Sequence, residues 1–269
     1  DVMSFLVKNG ADLNLPGPQN RTVLMDAIII DDFDMVKMLV GLGADVNYKG
    51  EYVEPLGLAS TKSLDMVEFL VENGAEIKGK DCPTARSYLA SAAAAGKVDI
   101  VKFYIERGVD VANDNMAMIW AARNGNNEVV KLLLSRGGDP NVKSYAGNSP
   151  LMEAVGERKM EVVYTLVDNG ANIGDANLSG ESALSIAAGK GDIELVKLFE
   201  SKGAKIGNGV NAAVKNNDIM MLNYFLAKGV DVNHKGVNNR TPVIIAAAKG
   251  YKDIVELLLA KGASLSNQD

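Results

Sequence analysis

The sequence predicts an all-α repeat fold, and three observations lead to this prediction. A glycine-anchored phrase, first met as GADLN at Gly10, recurs along the whole chain with a dominant interval of 33 residues. Apolar residues between these phrases follow the spacing of α-helices. Capping and turn residues hold the same place within each interval. A fixed period of this length is typical of chains built from stacked copies of one small unit.

Nine copies of the anchor phrase divide the chain. Their glycines are Gly10, Gly43, Gly74, Gly108, Gly137, Gly170, Gly203, Gly229 and Gly262. The successive intervals are 33, 31, 34, 29, 33, 33, 26 and 33 residues. The intervals that start at Gly108 and Gly203 are thus four and seven residues shorter than the dominant one, and we expect reduced connections at both junctions.

Each interval contains the signals of two helices. The first helix begins at a hydroxyl residue before proline, as at Ser149 and Thr241, because the hydroxyl can accept from unpaired N–H groups and proline suits the first helical position. A polar turn such as Gly125-Asn126 leads to the second helix, whose apolar residues cover one broad face. The anchor glycine ends that helix, because glycine tolerates the left-handed conformation common there.

Three segments carry a resemblance to a known family. TPVIIAA at 241–247, SPLMEAV at 149–155 and EPLGLAS at 54–60 resemble the ankyrin motif TPLHxAA, and the GADVN anchors fit the same family. The resemblance implies an antiparallel helix pair per unit, with hairpin-like fingers between units, stacked into a curved solenoid. It makes residues 1–269 a single ankyrin repeat domain. The nine expected units lie approximately at 1–14, 21–47, 53–78, 85–112, 115–142, 148–174, 181–207, 208–233 and 240–269.

The chain departs from the family pattern at the motif histidine and at its start. The residues at the histidine position are Met25, Gly57, Ala90, Ile119, Met152, Ser185 and Ile244. The usual side-chain cross-links between repeats are therefore in question. Residues 1–10 align with 34–43, which form a second helix, so we expect the sequence to be truncated within its first repeat.

Composition excludes several classes of site. The 34 acidic residues against 28 basic ones give a net charge of −6, which argues against nucleic acid because its binding depends on Lys and Arg neutralising phosphates. One cysteine and one histidine cannot make an internal disulfide or a multi-ligand zinc site, so we expect no metal and no cofactor. The longest small-apolar run, at 89–96, is too short to span a membrane, so we expect no membrane insertion.

Catalysis is not expected. Cys82 and His234 are about five repeats apart, which at about 10 Å per packed helix layer separates them by on the order of 50 Å. We interpret Cys82 as a loop thiol and His234 as a solvated finger residue. Glu153 and Glu157 lie four residues apart on one helix, a spacing that fits solvated or partner-contacting charges better than an acid and base pair.

The resemblance implies that a partner would bind the concave face, which fingertips and exposed positions of the first helices form. The position after the motif histidine varies between repeats. Among its occupants we select Asp26, Trp120, Glu153 and Ile186 as candidate contacts.

Trp120 is the only tryptophan, and Arg123 follows one helical turn later. Trp, Tyr and Arg dominate interface hot spots, so this pair is the leading candidate, with Tyr145 on the next finger expected beside it. The alternative is that Trp120 packs across the reduced junction to cover the core. Tyr48 and Tyr52 form a second aromatic pair, for which partner contact and ordinary finger packing both stay open.

The sequence thus predicts a non-catalytic protein-protein interaction scaffold or adaptor that binds a protein partner. The alternative is a recognition or regulatory region of a larger enzyme or effector whose catalytic domain is not in this chain. A third possibility, binding of a small ligand or nucleic acid in the groove, is disfavoured for nucleic acid by the acidic charge. We expect a monomer, in a compartment that the single cysteine leaves open, with the cytoplasm favoured over the periplasm or secretion.

Overall fold

A computed structural model describes residues 2–50, 54–77, 87–236 and 239–265. These residues form α-helices joined by turns and loops, with one isolated antiparallel bridge between Ala176 and Ser182 and no longer strand among them. The chain divides into two compact units, Asp1–Asp139 and Pro140–Asp269. The all-α prediction is therefore confirmed.

In the first unit, first and second helices of the repeats alternate. They are α1 (Val2–Lys8), α2 (Val23–Ile29), α3 (Phe33–Gly41), α4 (Pro55–Ala59), α5 (Leu64–Glu72), α6 (Tyr88–Ala95), α7 (Val98–Glu106), α8 (Asn115–Asn124) and α9 (Asn127–Ser135). The even-numbered helices are the first helices of their repeats.

The second unit continues the same alternation. Its helices are α10 (Pro150–Gly156), α11 (Met160–Asp168), α12 (Ala183–Gly189), α13 (Ile193–Ser201), α14 (Gly209–Lys215), α15 (Ile219–Ala227), α16 (Pro242–Lys249) and α17 (Lys252–Ala260). Within each unit, neighbouring repeats contact each other mainly through their first helices. The row of first helices is therefore the more closely packed side of each unit.

The helix starts follow the sequence prediction at Ser149 but not at Thr241. The Ser149 hydroxyl accepts from the amide of Met152 at 3.3 Å and caps α10. Thr241 precedes α16 as predicted, yet its hydroxyl makes no cap hydrogen bond and has no partner among the described residues. The predicted cap at Thr241 is wrong. Pro242 still favours a helix start there, because its fixed φ suits the first helical position.

The anchor glycines are required by backbone conformation. All nine have a positive φ, between 77° and 96°. A Cβ added at any of them would meet no atom within 4 Å, so space does not demand glycine there. An L-residue in this left-handed region costs about 1 to 2 kcal/mol, which explains why glycine recurs in every period.

Asparagines of the anchor phrase link consecutive repeats. Asn47 donates from Nδ2 to the carbonyl of Gly74 at 2.8 Å and accepts at Oδ1 from the amide of Glu76 at 2.9 Å. Asn141 makes the same two bonds to the following repeat. Side-chain cross-links between repeats therefore exist without the motif histidine, because the anchor asparagine reaches the next anchor's backbone.

Four fingers share a turn in which a described backbone N–H donates to the carbonyl four residues later. Gly17 donates to Arg21 at 2.7 Å, and Gly236 donates to Arg240 at 3.1 Å. The two short intervals differ from this pattern. A 3-10 turn, Val111–Asn113, leads directly into α8, and residues 204–208 lead directly into α14.

Candidate interaction surface

The predicted aromatic and cationic pair lies on α8. Asp114 begins this helix by accepting from the amide of Ala117 at 3.2 Å, and Gly125 ends it with a φ of 82°. Trp120 is half-buried, whereas Arg123 is exposed with its Cζ 5.3 Å from the centroid of the Trp120 ring. This distance allows a cation-π interaction. The pair thus lies on the last first helix of the first unit, with the indole half-buried and the guanidinium group on an exposed residue.

The start of α8 is held by the half-buried carboxyl of Asp114. The Ser87 hydroxyl donates to Asp114 Oδ2, which links the starts of α6 and α8. Burial raises the pKa of the Asp114 carboxyl, and its hydrogen bonds with Ser87 and the Ala117 amide oppose that rise. The capping contact fixes the position from which Trp120 and Arg123 project.

Two of the predicted contact residues in the first unit are engaged internally. Asp26 is exposed and pairs with Arg21, whose Nε lies 3.0 Å from its Oδ1. Tyr48 is half-buried and its hydroxyl donates to Asn20 Oδ1 at 3.0 Å, a contact between neighbouring fingers. The Tyr48 hydroxyl thus takes part in packing between fingers. Its predicted companion Tyr52 lies outside the described residues.

The second unit carries the other predicted contacts. Tyr145 stands on a finger with 88% of its surface exposed. Glu153 is half-buried and accepts from Asn148 Nδ2 at 2.8 Å, and Ile186 is half-buried on α12. At the equivalent position of the last repeat, Ile245 is buried. This position in the repeat is therefore not uniformly at the surface.

A groove in the second unit was missed by the sequence prediction. It has a volume of about 760 Å³ and lies between the finger that ends at Glu181 and the finger that ends at Arg240. Asn208, Ala212 and Lys215, of α14 and its approach, line it. The 26-residue interval after Gly203 was the available signal, because the absent finger leaves this space open.

Similarity to known proteins decides the family. A family model described as "Ankyrin repeats (3 copies)" matches residues 1–81, 56–144, 88–177, 118–209 and 184–269, which together cover the chain. The chain belongs to the ankyrin repeat family. Ankyrin repeats are generally protein-interaction modules and are typically non-catalytic.

Curated ankyrin relatives match parts of the chain. Ankyrin repeat and KH domain-containing protein mask-1 of Caenorhabditis elegans is 30% identical over 108 residues, 39% of this chain and 4% of its own. Ankyrin repeat and SOCS box protein 6 of Homo sapiens is 33% identical over 116 residues, 39% of this chain and 28% of its own. A Rickettsia felis protein named for ankyrin repeats is 53% identical over 47 residues, 17% of this chain and 12% of its own. The chain thus spans well under a third of each of these three relatives.

Two residues considered for catalysis lie in different settings. Cys82 falls outside the described residues. His234 was expected to be solvated, but it is half-buried and its Nε2 lies 3.2 Å from Asn208 Oδ1. The expectation is wrong because the shortened connection before α14 brings Asn208 against the finger of His234. No helix in the described part of the ankyrin chain is long and apolar enough to cross a membrane.

Proposed function

We propose that this ankyrin repeat chain is a non-catalytic scaffold or adaptor that binds a protein partner on the concave face implied by its family. The observation that carries the proposal is the pairing of Trp120 and Arg123 on the first helix α8. Trp and Arg are the residue types that most often supply large shares of binding energy at protein interfaces.

The geometry of this pair suits an interface anchor. The indole is already held in place by its half-buried position, so little side-chain freedom remains to be lost on binding. Arg123 is exposed beside the ring, and a guanidinium group can bind a carboxylate or a carbonyl of a partner.

Other predicted contacts extend the surface in each unit. In the first unit, Asp26, Tyr48 and Tyr52 belong to the proposed contact set. In the second unit, Tyr145, Glu153 and Ile186 do. Tyr145 is the best placed of these because its side chain is almost fully exposed.

Affinity capture from the native lysate tests the proposal. We expect a partner that the wild-type chain retains to be lost with Trp120→Ala/Arg123→Ala. The chain supplies a matched control on a second helix, because Lys228 Nζ also lies 5.3 Å from the ring centroid of half-buried Tyr224. Tyr224→Ala/Lys228→Ala should keep the partner. Retention of the same partner by the Trp120→Ala/Arg123→Ala variant would contradict the proposal.

The alternative is that the chain is a recognition or regulatory region of a larger enzyme or effector whose catalytic domain is not in this chain, and relatives with further named regions support a larger protein. Two of them name a KH domain or a SOCS box beside their ankyrin repeats, and the matched part is a minor share of each. The sequence of the full-length gene tests this. A catalytic domain in the flanking sequence would favour the alternative, and flanks of caps and linkers alone would favour the adaptor.

We further propose that the chain is monomeric and does not bind nucleic acid. The net charge of −6 supports the second point because it opposes the approach of phosphates. Retention of labelled nucleic acid by the chain in a filter-binding assay at low salt would contradict it.

A further inference from the structure

The groove in the second unit lies where the connection between two repeats is shortened. The connection to α14 is seven residues shorter than the dominant interval predicts, whereas the connections on both sides each contain an N–H to carbonyl bond, from Asn177 to Glu181 and from Gly236 to Arg240. The result is an open channel of about 760 Å³ across the first helices α12, α14 and α16. This volume lies within the range of about 300 to 1,000 Å³ found for ligand sites.

Part of the groove lining is apolar. Ala212, Ile245 and Ala248 lie along the first helices, and Leu178 rises from the preceding finger with 81% of its surface exposed. A large aliphatic side chain so exposed beside a groove offers contact area for an apolar group of a ligand.

The charged residues of the groove are mainly cationic. Lys215, Arg240 and Lys249 line it together with a single carboxylate, Glu181. None of the three cations forms an ion pair with any described residue, whereas the chain as a whole carries a net charge of −6. This local excess of positive charge is complementary to an acidic ligand.

A buried amide supplies an independent indication of a ligand. Asn211 lines the groove with only 5% of its surface exposed, and its Nδ2 donates to the Arg240 carbonyl at 3.4 Å. Its Oδ1 has no hydrogen-bond partner among the described residues. An N–H donor of a bound peptide would offset the cost of burying this oxygen.

We infer that this groove binds an extended acidic segment of a protein partner. Carboxylates of the segment pair with Lys215, Lys249 and Arg240, and an apolar side chain packs against Leu178, Ala212 and Ala248. The inference deepens the proposed function and rests on it, since it names a chemical class of partner and a second place of contact.

The repeat geometry predicts the spacing of the acidic residues. Lys215 and Lys249 end the first helices of neighbouring repeats, α14 and α16. Packed helices lie about 8 to 10 Å apart, and an extended peptide in the polyproline II conformation has three residues per turn and rises about 3.1 Å per residue, so every third side chain lies on the same face. Acidic residues three positions apart would therefore meet lysines on successive repeats.

The test uses a fluorescein-labelled peptide of about twelve residues with glutamate at every third position and leucine and glycine between them. We expect saturable binding by fluorescence anisotropy at low salt. Lys215→Glu/Lys249→Glu should weaken it about tenfold or more, because two favourable charge pairs become repulsive. Lys215→Gln/Lys249→Gln should weaken it less. Leu178→Ala should weaken it without changing its salt dependence.

Lys202→Glu/Lys261→Glu is the matched control. These lysines lie at the C-terminal ends of the second helices α13 and α17. The control therefore has the same change in net charge as Lys215→Glu/Lys249→Glu and the same loss of a positive charge at a helix end. Absence of saturable peptide binding, or equal weakening by the control, would overturn the inference. So would displacement of the peptide by oligouridylate at comparable concentration, which would assign the groove to phosphate groups of nucleic acid.

Failure of the groove and failure of the proposed function give different results. The inference about the groove alone is overturned if the chain binds no acidic peptide while a lysate partner is kept by Lys215→Glu/Lys249→Glu and lost by Trp120→Ala/Arg123→Ala. If only the variants at Lys215 and Lys249 lose the acidic peptide, and Trp120→Ala/Arg123→Ala retains every captured partner, the groove inference is supported and the role given to Trp120 is contradicted.

Discussion

A buried pair of hydroxyl groups in the first unit predicts that one of two single substitutions is more destabilising than the other. Tyr104 is fully buried on α7, and its hydroxyl lies 2.6 Å from Ser60 Oγ. Ser60 Oγ also donates to the carbonyl of Leu56 at 2.7 Å. A hydroxyl has one proton, so Tyr104 must donate to Ser60. The direction of donation decides which single substitution costs more.

Replacing serine should be the more harmful change. Ser60→Ala leaves the buried Tyr104 hydroxyl without an acceptor, at an expected cost of about 1 to 3 kcal/mol. Tyr104→Phe removes one neutral hydrogen bond and leaves Ser60 bonded to Leu56, at about 1 kcal/mol. The double variant leaves no orphan group at this site. We therefore expect its loss to lie near that of Tyr104→Phe and below the sum of the two single losses.

Urea unfolding measures these three losses. Fluorescence of the sole tryptophan, Trp120, reports on the first unit, and circular dichroism reports on the helices of the whole chain. Two results would refute the reasoning. One is a loss for Tyr104→Phe that exceeds the loss for Ser60→Ala, and the other is strict additivity in the double variant.

Three further predictions concern pH, glycine and the links between repeats. Burial raises the pKa of Tyr104 from its ordinary value of 10.0. The stability that protonated Tyr104 contributes is therefore complete below pH 10 and should fall by up to about 1.4 kcal/mol per pH unit above it. Thermal melts at alkaline pH should show a smaller loss of stability in Tyr104→Phe than in the wild type. Gly43→Ala should cost about 1 to 2 kcal/mol, because its φ is 96°, whereas Gly41→Ala, in the preceding helix, should stabilise by about 0.5 kcal/mol; equal effects in chemical unfolding would contradict this. Asn47→Ala loses two bonds to the next repeat and should cost about 1 to 2 kcal/mol, roughly twice the loss from Asn73→Ala, whose side chain bonds once within its own repeat; a larger loss for Asn73→Ala in the same assay would refute it.

Local signals made the repeat architecture predictable. An anchor such as Gly43 needs a left-handed backbone, and the helix ahead of it has an apolar face in which Val36 and Leu39 are buried. Both features depend on near neighbours in sequence, so the helices of each repeat can be predicted from the sequence of that repeat. Thr241 shows the limit of this reasoning, because the sequence gives the residue type of a cap but not the orientation of its hydroxyl.

Features that depend on neighbouring repeats were harder to predict. The interval after Gly203 predicted a reduced connection, but not the groove that two full fingers leave between them. His234 and Tyr48 were placed on fingers, while their partners Asn208 and Asn20 come from neighbouring repeats. Side-chain contacts across about one repeat depend on the stacking geometry, which the sequence pattern of one repeat does not contain.

For the candidate site, the sequence predicted which residues to select but not their burial or their contacts. The sequence placed Trp120 and Arg123 one turn apart on a first helix, and the structure adds that the ring is half-buried with the guanidinium near it. Binding by this pair stays a prediction.

Amide hydrogen exchange on the complex with a captured protein partner tests the central claim most directly. We predict that binding slows exchange in the first helices and fingers, including α8, while the exposed faces of the second helices exchange as in the free chain. Slowed exchange confined to second helices such as α9 and α11 would contradict the assignment of the interaction surface.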